Sequence, residues 1–86
     1  MIREVWQACF GQDVTAAKKS GPNQYRVLCP FHSERSPSCD VEIVKNVFTC
    51  RSCEAHGGYL DVVVRAGNAE NRREAHEWLE RHGVRL

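Results

Sequence analysis

Two short ligand pairs, Cys29-Pro30-Phe31-His32 and Cys50-Arg51-Ser52-Cys53, constrain this chain more than any other feature of its sequence. Each pair has two residues between its ends, and 17 residues separate His32 from Cys50. Two intervening residues let the backbone fold back in a tight knuckle, so both side chains of a pair can reach one ion. A zinc ion takes four such ligands in a tetrahedron, with sulfur at ~2.3 Å and imidazole nitrogen at ~2.0–2.1 Å. Two knuckles joined by a β-hairpin make a zinc ribbon. Four protein ligands leave no open coordination position. The spacing therefore predicts one structural zinc ion held by Cys29, His32, Cys50 and Cys53.

The rest of the cysteine and histidine inventory reads differently. Cys39 sits in a strand-like segment with no partner at knuckle spacing and reads as a small buried hydrophobe. Cys9 lies on an apolar helical stripe and reads the same way. His56, three residues after Cys53, is a neighbour of a set already complete.

Size makes such a staple necessary. A chain of 86 residues fits one domain and buries little more than ~60% of its unfolded surface, so its stability margin is thin. Small cores of this kind need disulfides or a metal. The opening MIREVWQACFGQD carries Glu4 and is broken by polar residues, unlike the apolar core of a secretory signal. No run of about 18 apolar residues is present, so no membrane span is expected. These features predict a cytoplasmic protein, where thiols stay reduced and paired cysteines favour metal over disulfide. The odd cysteine count, five, fits the same reading.

The hydrophobic pattern predicts a small α+β fold: a zinc ribbon with antiparallel β-hairpins, flanked by an N-terminal helix and C-terminal helices. Ile2, Val5, Trp6, Cys9 and Phe10 form one stripe at helical spacing, and Gly11 stops it. Val14 to Lys18 and Gln24 to Leu28 read as strands around the turn Ser20-Gly21-Pro22-Asn23. Cys39 to Val44 and Val47 to Cys50 are rich in β-branched residues and read as a second hairpin with Lys45-Asn46 at its tip. Gly57-Gly58 breaks the chain. Tyr59 to Ala66 is expected as a short helix, with Leu60, Val63 and Val64 on one face. Asn68 reads as the N-cap of a last helix running to His82, with Ala75, Trp78, Leu79 and His82 inward and Gly83 at its end. The expected organisation is a single domain over 1–86, with the ribbon core at about 14–56 and the C-terminal helices at about 59–82.

The run Cys29-Pro-Phe-His-Ser-Glu-Arg-Ser-Pro-Ser38, followed by Phe48-Thr-Cys-Arg-Ser-Cys53 and Ala55-His-Gly-Gly58, resembles the zinc-binding domain of bacterial and phage replicative DNA primases. Lys18-Lys19, Gly21 and Tyr25 resemble that family's basic, glycine-containing hairpin. The likeness runs from about Val14 to about Leu79. Cys39 stands where the family usually has an aromatic, Arg51-Ser52 replaces an aromatic-Gly pair, and Glu54 replaces a common Gly. The resemblance implies a structural zinc ribbon that binds the single-stranded DNA template during primer synthesis in DNA replication. It also implies a separate primase polymerase domain, in cis or in trans, and a replicative helicase as partners. The polymerase chemistry belongs to that other domain, so this chain is expected to be non-catalytic on its own.

Single-strand binding combines a basic track for phosphates with aromatic faces for bases. Lys18, Lys19, Arg26, Arg35, Lys45 and Arg51 are the expected track, set against Glu34, Asp40 and Glu42 between Val14 and Cys53. Tyr25 and Phe48 are the expected platforms, with Phe31 as a further aromatic that instead suits packing over the metal. Two other classes compete. No carboxylates form a recognisable acid/base or two-metal cluster, which disfavours an enzyme. The formal net charge of +1 leaves room for a protein-interaction module in a replication, phage or plasmid assembly without direct DNA contact.

Overall fold

The computed structural model describes residues 1–31 and 36–85. Its first element is a helix, α1 (Ile2–Phe10), ended by Gly11 in the left-handed conformation at φ 67°. Its apolar stripe places Ile2, Val5 and Trp6 in the core. A short 3₁₀ turn follows at Val14–Ala16, capped by the Asp13 carboxylate, which accepts from the Thr15 backbone N–H. This corrects the strand expected over Val14 to Lys18. The Asp13 carboxylate also accepts from the Thr15 hydroxyl at 2.7 Å. Such a side-chain-to-backbone bond offers the chain an alternative to a strand ladder.

Five strands then form one antiparallel sheet in the order β1-β2-β3-β4-β5. They are β1 (Lys18–Gly21), β2 (Gln24–Val27), β3 (Cys39–Glu42), β4 (Val47–Cys50) and β5 (His56–Gly58). β3–β4 is the second expected hairpin; the first forms with a shift, its outer strand being β1 rather than Val14 to Lys18 and its turn shortened to Pro22-Asn23. The Glu42 carboxylate accepts from the backbone N–H groups of Val44 and Lys45, which closes the second turn, and Asn46 completes it at φ 59°. β5 lies where a chain break was expected. Its two glycines have low strand propensity, yet Phe48 pairs with Gly57 and Val47 with Gly58.

Strand alternation gives the sheet two unlike faces. Val27, Cys39, Val41, Phe48 and Cys50 point to one side and are buried. α1 and α2 (Tyr59–Arg65) cover that side, contributing Ile2, Val5, Trp6, Val62 and Val63 to the same core. Burying each such side chain contributes about 1.5–3 kcal/mol. Trp6 packs edge-on against Phe10, Phe31 and Phe48 at centroid distances of 5.1, 6.2 and 6.0 Å. The other face carries Lys18, Arg26, Asp40, Thr49 and His56, which lie side by side across all five strands.

The last helix, α3 (Arg72–Arg81), buries Ala75 and Leu79 against α2. Its N-cap is Asn71, whose side chain accepts from the Glu74 N–H at 2.9 Å. The cap expected at Asn68 is corrected by three residues. Asn71 has Glu74 three positions on, and Glu74 reaches back to the Glu70 N–H. Asn68 lacks an acid at the matching position, where Asn71 itself stands.

Candidate metal centre and nucleic-acid face

The end of β2 and the turn between β4 and β5 meet at one corner of the sheet. Cys29 follows β2, Cys50 ends β4, and Cys53 lies in the turn. That turn is tight: the Cys50 N–H donates to the Ala55 carbonyl at 2.7 Å, and Glu54 takes a left-handed conformation at φ 59°. The loop before β3 is tied to the same corner. Ser38 donates its N–H to Val27, and Arg51 donates its N–H to Ser38.

This folding brings the thiols of Cys29, Cys50 and Cys53 within 4.8 Å of one another. The Cys29 and Cys53 sulfurs are 3.7 Å apart. A tetrahedral ion with ~2.3 Å sulfur bonds separates its sulfurs by about 3.8 Å, so the donor set fits a single zinc ion. Cys29 and Cys50 are buried and Cys53 is exposed. Burial first, and the neighbouring Cys50 and Cys53 thiols second, push the Cys29 thiol up to about 12, against a bond from the Phe31 N–H that lowers it. A divalent ion reverses that balance, because a coordinating thiol is deprotonated outright. The sulfur cluster could thus hold a thiophilic cation and would release protons on binding it. His32, the expected fourth ligand, lies outside the described residues, as does Arg35.

The other cysteines follow the reading as small hydrophobes. Cys39 is 0% exposed and stands opposite Cys50 in the β3–β4 register. Burial pushes its thiol above the ordinary range, and the three clustered thiols add to the shift. Cys9 is half-buried beside Asn68. His56 is exposed, with Nδ1 3.0 Å from the Glu54 carbonyl oxygen.

The expected DNA-contact residues fall into three groups. Lys18, Arg26 and Arg51 lie on or beside the polar face, and Lys45 is exposed in the β3–β4 turn. Lys19 and Tyr25 pair with each other on the row that faces the core; Lys19 is exposed at the sheet edge and Tyr25 packs against the core margin. Phe48 is corrected as a stacking platform. It is 1% exposed and holds Trp6 and Phe31 at 6.0 and 5.5 Å, so neither face of its ring is available to a base. Phe31 packs against Trp6, Phe10 and Phe48, which buttresses the first knuckle from inside.

One feature was not legible in the sequence. Asp40, on the polar face, accepts from Arg26 Nε at 2.9 Å and the Ser20 hydroxyl at 3.1 Å through Oδ1. Its Oδ2 accepts from Arg51 Nη2 at 3.2 Å. Burial alone would raise this carboxyl, but these bonds and the two guanidinium charges hold it below the usual carboxylate range. Strand alternation places Asp40 on the outer face, but no local signal pairs it with arginines 14 and 11 positions away.

Among the described residues, no helix is long and apolar enough to cross a membrane. Residues 7–86 match the CHC2 zinc finger of the DnaG zinc ribbon. The chain is 33% identical over 69 residues to the DNA primase of Salmonella typhimurium, covering 80% of this chain and 12% of that protein. It is 45% identical over 47 residues to the DNA primase of Neisseria meningitidis serogroup B, covering 55% and 8%. Among solved structures, the zinc-binding and RNA polymerase domains of Aquifex aeolicus primase superpose with a TM-score of 0.62 at 25% identity, covering 100% of this chain and 23% of that one. The chain thus spans about an eighth of the length of the Salmonella relative. Because the family match takes in the sulfur cluster, the five strands and both C-terminal helices, the chain belongs to the CHC2 zinc finger family, the zinc ribbon of DnaG-type DNA primases.

Proposed function

We propose that this chain is the template-holding zinc ribbon of a primer-synthesis system in DNA replication. In this reading Cys29, His32, Cys50 and Cys53 hold one structural zinc ion, residues 1–86 act as one domain, and the chain carries out no chemistry itself. A separate polymerase domain, of the kind named in the Aquifex protein, makes the primer, and a replicative helicase is the further partner. The cytoplasm is the compartment that suits such a reaction. The single-stranded template would cross the polar face of the sheet, with Lys18, Arg26 and Arg51 near its phosphates; Lys45 in the β3–β4 turn and Lys19 and Tyr25 at the sheet edge would meet it only where it leaves that face, and Arg35 is kept as a candidate from the sequence alone.

The observation that carries the reading is the division of the sheet into two faces. One is filled by the core, and the other leaves a polar row open beside the sulfur cluster. Zinc then acts as a folding device that fixes the corner from which Arg51 projects.

Fluorescence anisotropy of the zinc-loaded chain on short labelled oligonucleotides tests it. Binding should weaken with salt at a log–log slope of about −0.7 per phosphate neutralised, so about −2 for three contacts. Absence of binding at low salt, or binding indifferent to salt, would overturn it. One observation favours a second reading, a protein-docking module: Asp40 already engages Arg26 and Arg51, which lowers the charge open to phosphates. A stable complex with a replication protein, without oligonucleotide binding, would select that reading.

A further inference from the structure

The cluster Arg26–Asp40–Arg51 is more ordered than a phosphate track requires. A lysine would supply the positive charge that a phosphate track needs, and a guanidinium fork fits phosphate oxygens as well as base edges, so what sets this cluster apart is its fixed orientation. Here one carboxylate, 12% exposed, holds two guanidiniums at once. Both of its oxygens are engaged, Oδ1 by Arg26 and Ser20 and Oδ2 by Arg51. Asp40 therefore has little capacity left to accept from a nucleobase amino group. Its role is to fix the orientation of its neighbours.

Arg51 is the neighbour that remains available. Its side chain is 61% exposed, and Nη2 alone is committed to Asp40. Guanidinium carries five N–H donors in a rigid fork, and among the described residues Asp40 is the acceptor that the Arg51 side chain meets. Its backbone is fixed as well: the Arg51 N–H donates to Ser38 at 3.1 Å, and Cys50 and Cys53 bracket it in the knuckle. An arginine held at its root and at one nitrogen has little side-chain entropy left to lose on binding.

We propose that Arg51, positioned by Asp40, reads a guanine in the single-stranded template; this rests on the template-holding reading above. A fork of donors needs two adjacent acceptors. Guanine presents O6 and N7 side by side, and bidentate Arg to this pair is the commonest specific base contact. Adenine N1 and N7 are each flanked by the N6 amino group, and thymine O2 and O4 by the N3–H, and these donors repel the fork. Cytosine presents an adjacent pair on its pairing edge and is the competing target. In a single strand, unstacked bases expose all these edges. The net single positive charge of two guanidiniums and one carboxylate attracts the strand weakly, which leaves the base edge to decide where it settles.

The test is anisotropy with the zinc-loaded chain on four oligothymidylates: unmodified, and with one central guanine, 7-deazaguanine or cytosine. Guanine should tighten binding about 5- to 150-fold over thymine, as a good bidentate pair contributes ~1–3 kcal/mol of discrimination. Replacing N7 with carbon should remove most of that ratio. R51K keeps the charge and loses the fork, so its guanine-to-thymine ratio should fall toward one. D40N removes the negative charge and one of the two accepting oxygens, so it can no longer hold both guanidiniums; it should lower the ratio while leaving a salt slope at least as steep, and circular dichroism and zinc content check its fold. Binding that is equal on all four strands overturns the guanine assignment and leaves the template reading intact. Equal tightening by cytosine, or by 7-deazaguanine, also overturns it. An unchanged ratio in D40N removes Asp40 from the positioning role. No binding to any strand overturns both proposals.

Discussion

Replacing Phe48 with leucine separates a core residue from a base-stacking platform. Phe48 is 1% exposed and makes two ring contacts, with Trp6 at 6.0 Å and 62° and with Phe31 at 5.5 Å and 45°. Leucine keeps most of the volume and the apolar character but has no ring. Each aromatic pair contributes ~0.5–1.5 kcal/mol beyond its buried area. Losing both pairs therefore costs about 1–3 kcal/mol. For a domain of this size, each kcal/mol lowers the melting temperature by about 4–8 °C. An 86-residue fold has on the order of 4–13 kcal/mol in hand, so the variant should remain folded at 25 °C. Urea denaturation of the zinc-loaded protein, followed by far-ultraviolet circular dichroism, measures the loss. Oligonucleotide affinity of the folded variant should stay within about twofold of the parent, because the ring does not reach the polar face. Unchanged stability together with a large loss of oligonucleotide affinity would refute the reasoning and return Phe48 to the binding surface.

Chelating the zinc should abolish most of the sheet signal, since metal binding supplies ~10–16 kcal/mol of apparent folding free energy in zinc-finger peptides near neutral pH; an unchanged circular dichroism spectrum after complete removal would refute this. The Asp13 carboxyl, bonded by the Thr15 hydroxyl, Arg3 and the Thr15 N–H, is lowered to about 2. Because its folded value is depressed, any stability it adds is present above pH ~4 and is lost as pH falls through about 2; a carboxyl-carbon NMR midpoint near 4 would contradict it. Gly57 has φ +154°, and a β-carbon there would lie 2.5 Å from Asp61 Oδ2 and 2.7 Å from Asp61 Cβ. G57A should therefore cost about 1–3 kcal/mol in urea denaturation, by displacing a carboxylate that accepts from the Gly58 N–H and from Arg72; wild-type stability would refute it.

What the sequence disclosed depended on how local each signal was. The α1 stripe, the Gly11 stop, the β3–β4 hairpin and the turn from Cys50 to Cys53 are set by neighbours a few positions apart, and they read directly. The thiols of Cys29, Cys50 and Cys53 converge as their spacing requires. The misses come from two sources. Asp13 and Asn71 outcompeted the expected pattern through single side-chain bonds to backbone, whose choice between neighbouring polar residues is a matter of geometry. β5, the burial of Phe48 and the pairing of Asp40 depend on contacts across the sheet. An apolar residue in a strand faces either side with the same local pattern, so Phe48 could be assigned to core or to surface until the register was known. β5 forms because the tight turn after Cys50 returns the chain along β4, which overrides the poor strand propensity of its glycines.

The unbroken strand order has a kinetic consequence. Each strand pairs with the one before it in the chain, so no crossover has to be closed before a ladder can grow. Low sequence separation between partners favours fast assembly, and a hairpin forms in about 1–10 μs. The sulfur corner is different, because Cys29 must meet Cys50 and Cys53 from the far side of the β3–β4 hairpin. The two hairpins can therefore form only fleetingly before the ion arrives, since an isolated hairpin is marginally stable at best. Capture of the ion then becomes the step that commits the molecule, and its rate should follow the supply of free zinc more closely than the topology of the sheet.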